Sequence, residues 1–405
     1  MPAFTRFLEK IVTCGTLTVI DANGATHRYE GEAVPGLVPV TIKLHDKSLH
    51  WKLALRPTLV VGEAFMDGTL TIEEGTLYDF LAMASENIHR ADKRFSPGER
   101  FSAIFRFLQQ WNPVDKSKKN VAHHYDLSGG LYDLFLDSDR QYSCAYFPTP
   151  DLTIDEAQVA KRKHIISKLL LAPGQRVLDI GCGWGGLALS IAKVADVEVT
   201  GITLSEEQLK VAQRRAEEAQ LAHKVHFLLC DYRNLTGQFD RIVSVGMFEH
   251  VGVVQFRQFF ETVRDRLTDA GVALLHSIGR AHGPGATNAW IRKYIFPGGY
   301  TPALSEVLPE VERSGLYVTD IELLQLHYAE TLRAWRKRFM ARRDEAIKLY
   351  DEKFARMWEF YLAGAETAFR HQGQMVFQMQ MAKRNDVTPW SRDYIAATEH
   401  AMQGL

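Results

Sequence analysis

The sequence predicts an α/β protein, a doubly wound parallel sheet over its C-terminal two thirds preceded by a smaller α+β domain. Three observations carry this reading. From Thr153 onward, apolar runs of strand length alternate with helical stretches, as in sheets covered by helices on both faces. The run Val177-Leu178-Asp179-Ile180 passes through Gly181-Cys182-Gly183-Trp184-Gly185-Gly186 into a helix over 187–195. A strand, a glycine turn and a helix N-terminus in that order is where nucleotide-like ligands usually sit. Before about residue 110, by contrast, short strands, turns and two helices follow one another without a phosphate-binding glycine loop or a catalytic cluster.

The chain opens with Phe4, Phe7, Leu8, Ile11 and Val12 at helical spacing, with Arg6 and Lys10 elsewhere on the wheel. Such a segment either closes the first domain or lies on a membrane surface. Strands are expected at 17–20, 26–29, 38–44 and 49–55, with Asn23-Gly24 as a hairpin signal, and helices at 77–88 and 101–111. Asn112 to Asn120 is polar, basic and contains Pro113, which suits a linker. Two segments crowded with polar aromatics and turn residues follow, at 123–130 and 141–147, and read as a lid or cleft. Thr153 and Glu156 have capping-box spacing for a helix that runs to about 171, ahead of Pro173-Gly174. Strands follow at 176–180, 198–204, 225–230, 241–245 and 272–276, then helices at 331–350 and 353–370. The apolar–polar alternation from Met375 to Met381 closes the pattern as one more strand.

Composition narrows the function classes. With 46% hydrophobic and 24% charged residues in 405, the chain is globular. A formal net charge of -1 argues against the broad basic field of a nucleic-acid binder. Cys14, Cys144, Cys182 and Cys230 form no C-x-x-C pair, so neither a zinc site nor a disulfide framework is expected, and a reducing cytoplasm fits. There is no signal-peptide pattern and no apolar run near the roughly 20 residues that span a bilayer. Arg333, Arg336, Lys337, Arg338, Arg342 and Arg343 crowd one helix, either as a solvated face partnered by Asp344 and Glu345 or as an anionic-lipid patch.

Several strand ends carry polar groups at the edge where ligands bind in open α/β sheets. The second strand lacks the acidic ribose ligand of a dinucleotide fold at its tip; Ser205 and Gln208 have helix-capping spacing, and Gln208 is open to either capping or a ribose contact. The third ends in Cys230-Asp231-Tyr232, where Asp231 is a cap or a ligand. The fourth leads into Phe248-Glu249-His250, and His276 and Tyr328 arise at comparable edges.

Together these segments resemble the cyclopropane-fatty-acyl-phospholipid synthase family, which includes the mycolic-acid cyclopropane synthases, across almost the whole chain. The motifs are His124-Tyr125-Asp126, Tyr142-Ser143-Cys144-Ala145-Tyr146-Phe147, Asp179-Ile180-Gly181-Cys182-Gly183-Trp184-Gly185, Gly201-Ile202-Thr203-Leu204-Ser205, Phe248-Glu249-His250-Val251-Gly252 and Tyr328-Ala329-Glu330-Thr331-Leu332. The resemblance implies an α/β, Rossmann-like S-adenosylmethionine-dependent methyltransferase domain over 141–405, a linker and lid over 112–140, and a small α+β lipid-associated domain over 1–111. It implies S-adenosylmethionine held by Tyr142, Ser143, Asp179, Gly181, Gly183, Thr203, Leu204, Gln208, Asp231 and Tyr232, and bicarbonate held by Cys144, Glu249, His276, Ile278 and Tyr328. The expected partner is an unsaturated phospholipid, reached by transient association with the inner membrane face, and the family suggests dimers. Family members often carry a cysteine near the position of Ala365; its absence here means that no thiol at that place is essential.

The implied chemistry follows from what an alkene requires. A double bond is a poor nucleophile and must meet an activated methyl group held in line. Aromatic faces such as Tyr142, Tyr146 and Phe147 would stabilise the resulting carbocation in a dry cleft. A base, here bicarbonate, then removes a proton so that the ring closes. Glu249 beside an anion calls for a shared proton, hence a raised carboxyl pKa or an O–H donated by the anion. The alternatives are a sister enzyme that makes a methyl-branched or otherwise methylated chain, and a lipid-binding protein with a decayed methyltransferase domain.

Overall fold

The structure, a computed structural model, describes residues 2–92 and 129–402. The expected helix at 101–111, the linker at 112–120 and most of the aromatic run at 123–130 lie outside the described residues. Two compact units are present, one made of 2–92, 287–297 and 329–374, the other of 129–286, 298–328 and 375–402.

In the first unit, β1 (Thr16–Ile20), β2 (Thr26–Glu30), β3 (Val40–Leu44) and β4 (Leu70–Glu74) form a sheet in the order β2-β1-β3-β4. The β1–β2 turn is built as its residues require: Asp21 Oδ1 accepts from the amides of Asn23 (2.8 Å) and Ala25 (3.0 Å). The opening helix, Pro2–Ile11, buries Phe4 and Leu8 in the core of this unit, so its apolar face is used internally. The expected strand at 49–55 is instead a helix, Leu49–Leu55. Its mixed pattern satisfies alternation superficially, but the buried residues are Leu49, His50 and Leu53, an i, i+4 face. The expected single helix at 331–350 is two, His327–Ala341 and Arg343–Leu349, broken at Arg342 with φ -121 and ψ 21. No glycine or proline marks that break. The basic run on these helices is paired with acids: Arg336 with Glu366 (2.9 Å), Arg342 with Glu345 (2.8 Å) and Arg343 with Glu352 (2.7 Å). Glu345 is one of the partners expected, and the other two lie on the helix Glu352–His371.

The second unit holds β5 (Arg176–Ile180), β6 (Glu198–Thr203), β7 (Val225–Leu229), β8 (Phe239–Val245), β9 (Leu267–Arg280), β10 (Tyr317–Leu323) and β11 (Gln374–Ala382), in the order β10-β11-β9-β8-β5-β6-β7. From β7 to β9 neighbouring strands run parallel, and β10 pairs antiparallel with β11. The expected fold class and the final strand are both present. β10 was not expected; all its residues are half-buried or exposed, which leaves it little hydrophobic pattern.

Strand alternation sorts the core to two faces. Leu178, Ile180, Ile242, Ala273, Leu275, Phe377 and Met379 pack on one side with Phe256, Phe259 and Phe260. Val177, Val199, Val243 and Leu274 pack on the other with Ile165, Ile166 and Leu169 of the helix Ile154–Leu169. Period-two geometry places Asp179, His276, Gln378 and Gln380 on that second face, toward this helix.

Candidate active site

The glycine turn after β5 is shaped by backbone conformations that side chains resist. Gly181 has φ +82, and a Cβ there would lie 2.8 Å from Met247 Cβ; Gly183 has φ +53 with open space where its Cβ would be. Gly181 N–H and Cys182 N–H both donate to the Ile202 carbonyl (2.9 and 3.0 Å), fixing the turn against β6. The helix Gly186–Val194 starts there, with its N-terminus at the turn.

Asp179, one residue before the end of β5, is buried, and its Oδ2 has no hydrogen-bond partner among the described residues. Burial pushes its carboxyl up to about 7, opposed by the charge of Lys161. Lys161 is itself buried and pushed down to about 8 by desolvation. Its Nζ donates to Gln141 Oε1 (2.5 Å) and Ser143 Oγ (2.9 Å), and Gln158 Nε2 donates to the Ser143 carbonyl (3.0 Å). The segment carrying Tyr142, Ser143 and Cys144 is thereby tied to the helix that faces Asp179. Tyr142 meets Tyr132 (5.5 Å) and Phe135 (6.2 Å) edge-on, and Tyr132 also meets Trp184 of the glycine turn (6.0 Å).

At the end of β6, Thr203 Oγ1 donates to Gln208 Oε1 (2.8 Å), while Ser205 Oγ accepts from the Gln208 amide (3.3 Å). Helix initiation therefore uses the Gln208 backbone, and its side chain turns to Thr203 rather than closing a capping box. Leu204 between them is half-buried. Asp231 caps the short turn Tyr232–Asn234, and its two oxygens take Arg233 Nε (2.8 Å) and a terminal Arg233 nitrogen (2.7 Å). Tyr232 stands edge-on to Phe259 (5.4 Å), and burial raises its hydroxyl pKa.

A second cluster gathers at the carboxyl ends of β8 and β9. Glu249 Oε1 accepts from the Ile278 amide (2.6 Å), and Oε2, buried, has no partner among the described residues. Burial lifts this carboxyl to about 7, against the pull of the Ile278 amide. Ile278 thus acts here through its N–H, by orienting Glu249. His276 is buried, kept well below the usual histidine range by desolvation and then by the charges of Lys161, Lys168 and His164. His250 is pushed down to about 4 by burial. Cys144 and Tyr328 are buried. Next to Tyr328, His327 Nδ1 accepts from the Phe147 amide (2.9 Å), linking the start of that helix to the 142–147 segment. Tyr146 lies stacked between His164 (4.1 Å) and His327 (5.1 Å). Both its faces are covered, which removes it from the aromatic faces expected to meet a cation.

A family model described as Mycolic acid cyclopropane synthetase matches residues 113–379. The chain belongs to the mycolic acid cyclopropane synthetase family. It is accordingly an S-adenosylmethionine-dependent methyltransferase by class. Cyclopropane-fatty-acyl-phospholipid synthase of Escherichia coli is 38% identical over 357 residues, 87% of this chain and 90% of that protein. Tuberculostearic acid methyltransferase of Mycobacterium tuberculosis is 40% identical over 395 residues, 93% of this chain and 90% of the other. The solved structure of mycolic acid cyclopropane synthase CmaA1 complexed with SAH and CTAB aligns with a TM-score of 0.62 at 35% identity, over 67% of this chain and 98% of that one.

Within this synthetase-family site, sequence reasoning missed Lys161, Gln158 and the buried polar groups His164, Lys168 and Gln378. The signal was present but ambiguous. Residues 158, 161, 164 and 168 form one stripe of the helix, which ordinarily means a solvated face.

Proposed function

We propose that this enzyme transfers a methylene group from S-adenosylmethionine to a cis double bond of an unsaturated phospholipid acyl chain, closing a cyclopropane ring. The observation that carries the reading is the Glu249 carboxyl at the carboxyl edge of the sheet, anchored through one oxygen, unpartnered at the other among the described residues and lifted to about 7. Such a group can share a proton with an anion at neutral pH, where an ordinary carboxylate would repel it.

The residues fit the two groups the family implies. Asp179 Oδ2, buried without a partner among the described residues, and the open space at Gly183 suit a cationic cofactor beside the glycine turn. The cofactor's further contacts would come from Tyr142, Ser143, Thr203, Leu204, Gln208, Asp231 and Tyr232. Cys144, Glu249, His276, Ile278 and Tyr328 would hold bicarbonate. When bound, S-adenosylmethionine supplies an activated methyl group and bicarbonate a base. The chain's own contribution is placement and exclusion of water: Lys161 holds Ser143, the Ile278 amide holds Glu249, and Tyr142 and Phe147 offer aromatic surface to positive charge developing on the acyl chain. No helix among the described residues is long and apolar enough to cross a membrane; on this reading the acyl chain is reached from the membrane surface by peripheral association.

A second reading is methyl transfer without ring closure. It is favoured by the likeness to tuberculostearic acid methyltransferase over most of the chain. The two differ in whether a base takes a proton from the new methyl group. Glu249→Gln tests the ring-closing role: ring formation is expected to fall by about a hundredfold or more, on the scale of losing one preorganised catalytic group, with cofactor affinity by calorimetry little changed. Full ring-forming activity without any new dependence on added bicarbonate would refute it.

A further inference from the structure

Between the sheet and the helix Ile154–Leu169 lies a chain of buried polar groups that the proposed chemistry leaves unused. Gln378 sits on β11, fully buried, opposite Glu322 of β10. Its Oε1 accepts from Lys168 Nζ (2.7 Å), and its Nε2 lies 3.1 Å from His276 Nδ1. Lys168 Nζ also pairs with Glu322, whose other short contact is His164 Nε2 (2.6 Å), and His164 Nδ1 bonds Glu399. Neighbouring Gln380 is satisfied separately, donating to the Lys168 carbonyl (2.7 Å) and accepting from Thr319 (2.8 Å).

Donor and acceptor counting fixes the direction of the first links. A lysine ammonium has only donors; burial lowers the Lys168 pKa, and the ion pair with Glu322 opposes that shift and favours the charged form. The Gln378 oxygen must therefore face Lys168, since a flipped amide would set two donors against each other. Its NH2 group, which can only donate, then faces His276 Nδ1. That nitrogen has to be the acceptor, and the ring proton has to reside on Nε2.

We propose that Gln378, locked by Lys168, is a positioning residue that holds His276 as the neutral Nε2–H tautomer. This rests on the reading that His276 faces bicarbonate. A neutral N–H donor binds an anion without passing its proton on, whereas an imidazolium would protonate the base that ring closure needs. The surrounding positive charges of Lys161, Lys168 and His164 act in the same direction by opposing a second ring proton.

The test is long-range 1H–15N correlation on the full chain labelled with 15N-histidine, with the His276 signals assigned by their loss in His276→Ala. The wild-type ring is expected to be neutral with Nε2 protonated near neutral pH. In Gln378→Glu the new carboxylate can only accept, so the ring proton is expected to move to Nδ1, and half-maximal ring formation is expected to need roughly tenfold more bicarbonate, as for loss of one charge-assisted hydrogen bond. Lys168→Met, which removes the lock while leaving the glutamine, is expected to give a mixture of both tautomers. A wild-type Nδ1–H ring, or a Gln378→Glu protein that retains the Nε2–H form, would overturn the inference whatever the activity. A tautomer that moves with no change in bicarbonate requirement would uphold the role of Gln378 and instead overturn the reading that His276 faces the anion.

Discussion

Asp179 and Glu249 are carboxyls lifted to about 7 by the same cause, burial, near the carboxyl ends of the neighbouring strands β5 and β8. For Asp179 this has a stability consequence with a definite sign. The folded protein holds the Asp179 proton more tightly than the unfolded chain, so the associated stability is whole below the ordinary carboxylate range and is lost as pH rises toward 7, on the order of 4 kcal/mol at most. Asp179→Asn has no such proton to lose. Relative to wild type, its melting temperature is expected to gain as pH rises from about 4 to 7 and to run parallel above that, while its cofactor affinity falls. A constant offset across the range would mean that Asp179 ionises as readily in the fold as out of it. Glu249 was legible because the fourth strand leads into the turn that carries it, whereas Asp179 was reached only through the family resemblance. Their partners were not, since Lys161 and the Ile278 amide come close only through the tertiary fold.

At the scale of elements, most of the sheet was legible and one helix was misjudged in character. Apolar runs between turn signals place β5 to β8 within a few residues and find the middle of the longer β9, because buried parallel strands leave a continuous hydrophobic pattern. The helix Ile154–Leu169 has a polar stripe that mimics a solvated face, yet Gln158, Lys161, His164 and Lys168 are buried. β11 shows the same ambiguity: Gln378 and Gln380 alternate with apolar residues as in a half-exposed strand, but are covered by that helix's polar groups. The stripe is thus part of the site, and Lys161→Met, which keeps the helix and most of the side-chain volume, tests this. Loss of its bond to Ser143 and of its charge near Asp179 is expected to weaken cofactor binding about tenfold by calorimetry. Unchanged affinity would confine Lys161 to packing.

For the whole molecule, the alternation of strands with helices and the glycine turn carried the fold class, and the spaced motifs carried the family; on the proposed chemistry, which reaction follows depends on where a base stands relative to the new methyl group, and spacing does not encode that. The first unit was read less well, since its later segments, 287–297 and 329–374, return from far along the chain. The burial of Phe4 and Leu8 commits that face of the opening helix to the core of its own unit. The direct measurement is incubation of the full chain with S-adenosylmethionine and vesicles of a mono-unsaturated phospholipid, followed by mass spectrometry and proton NMR of the released acyl chains. A gain of one methylene with upfield ring protons is the expected result; a methyl doublet, or lipid left unchanged, would contradict ring formation by this enzyme.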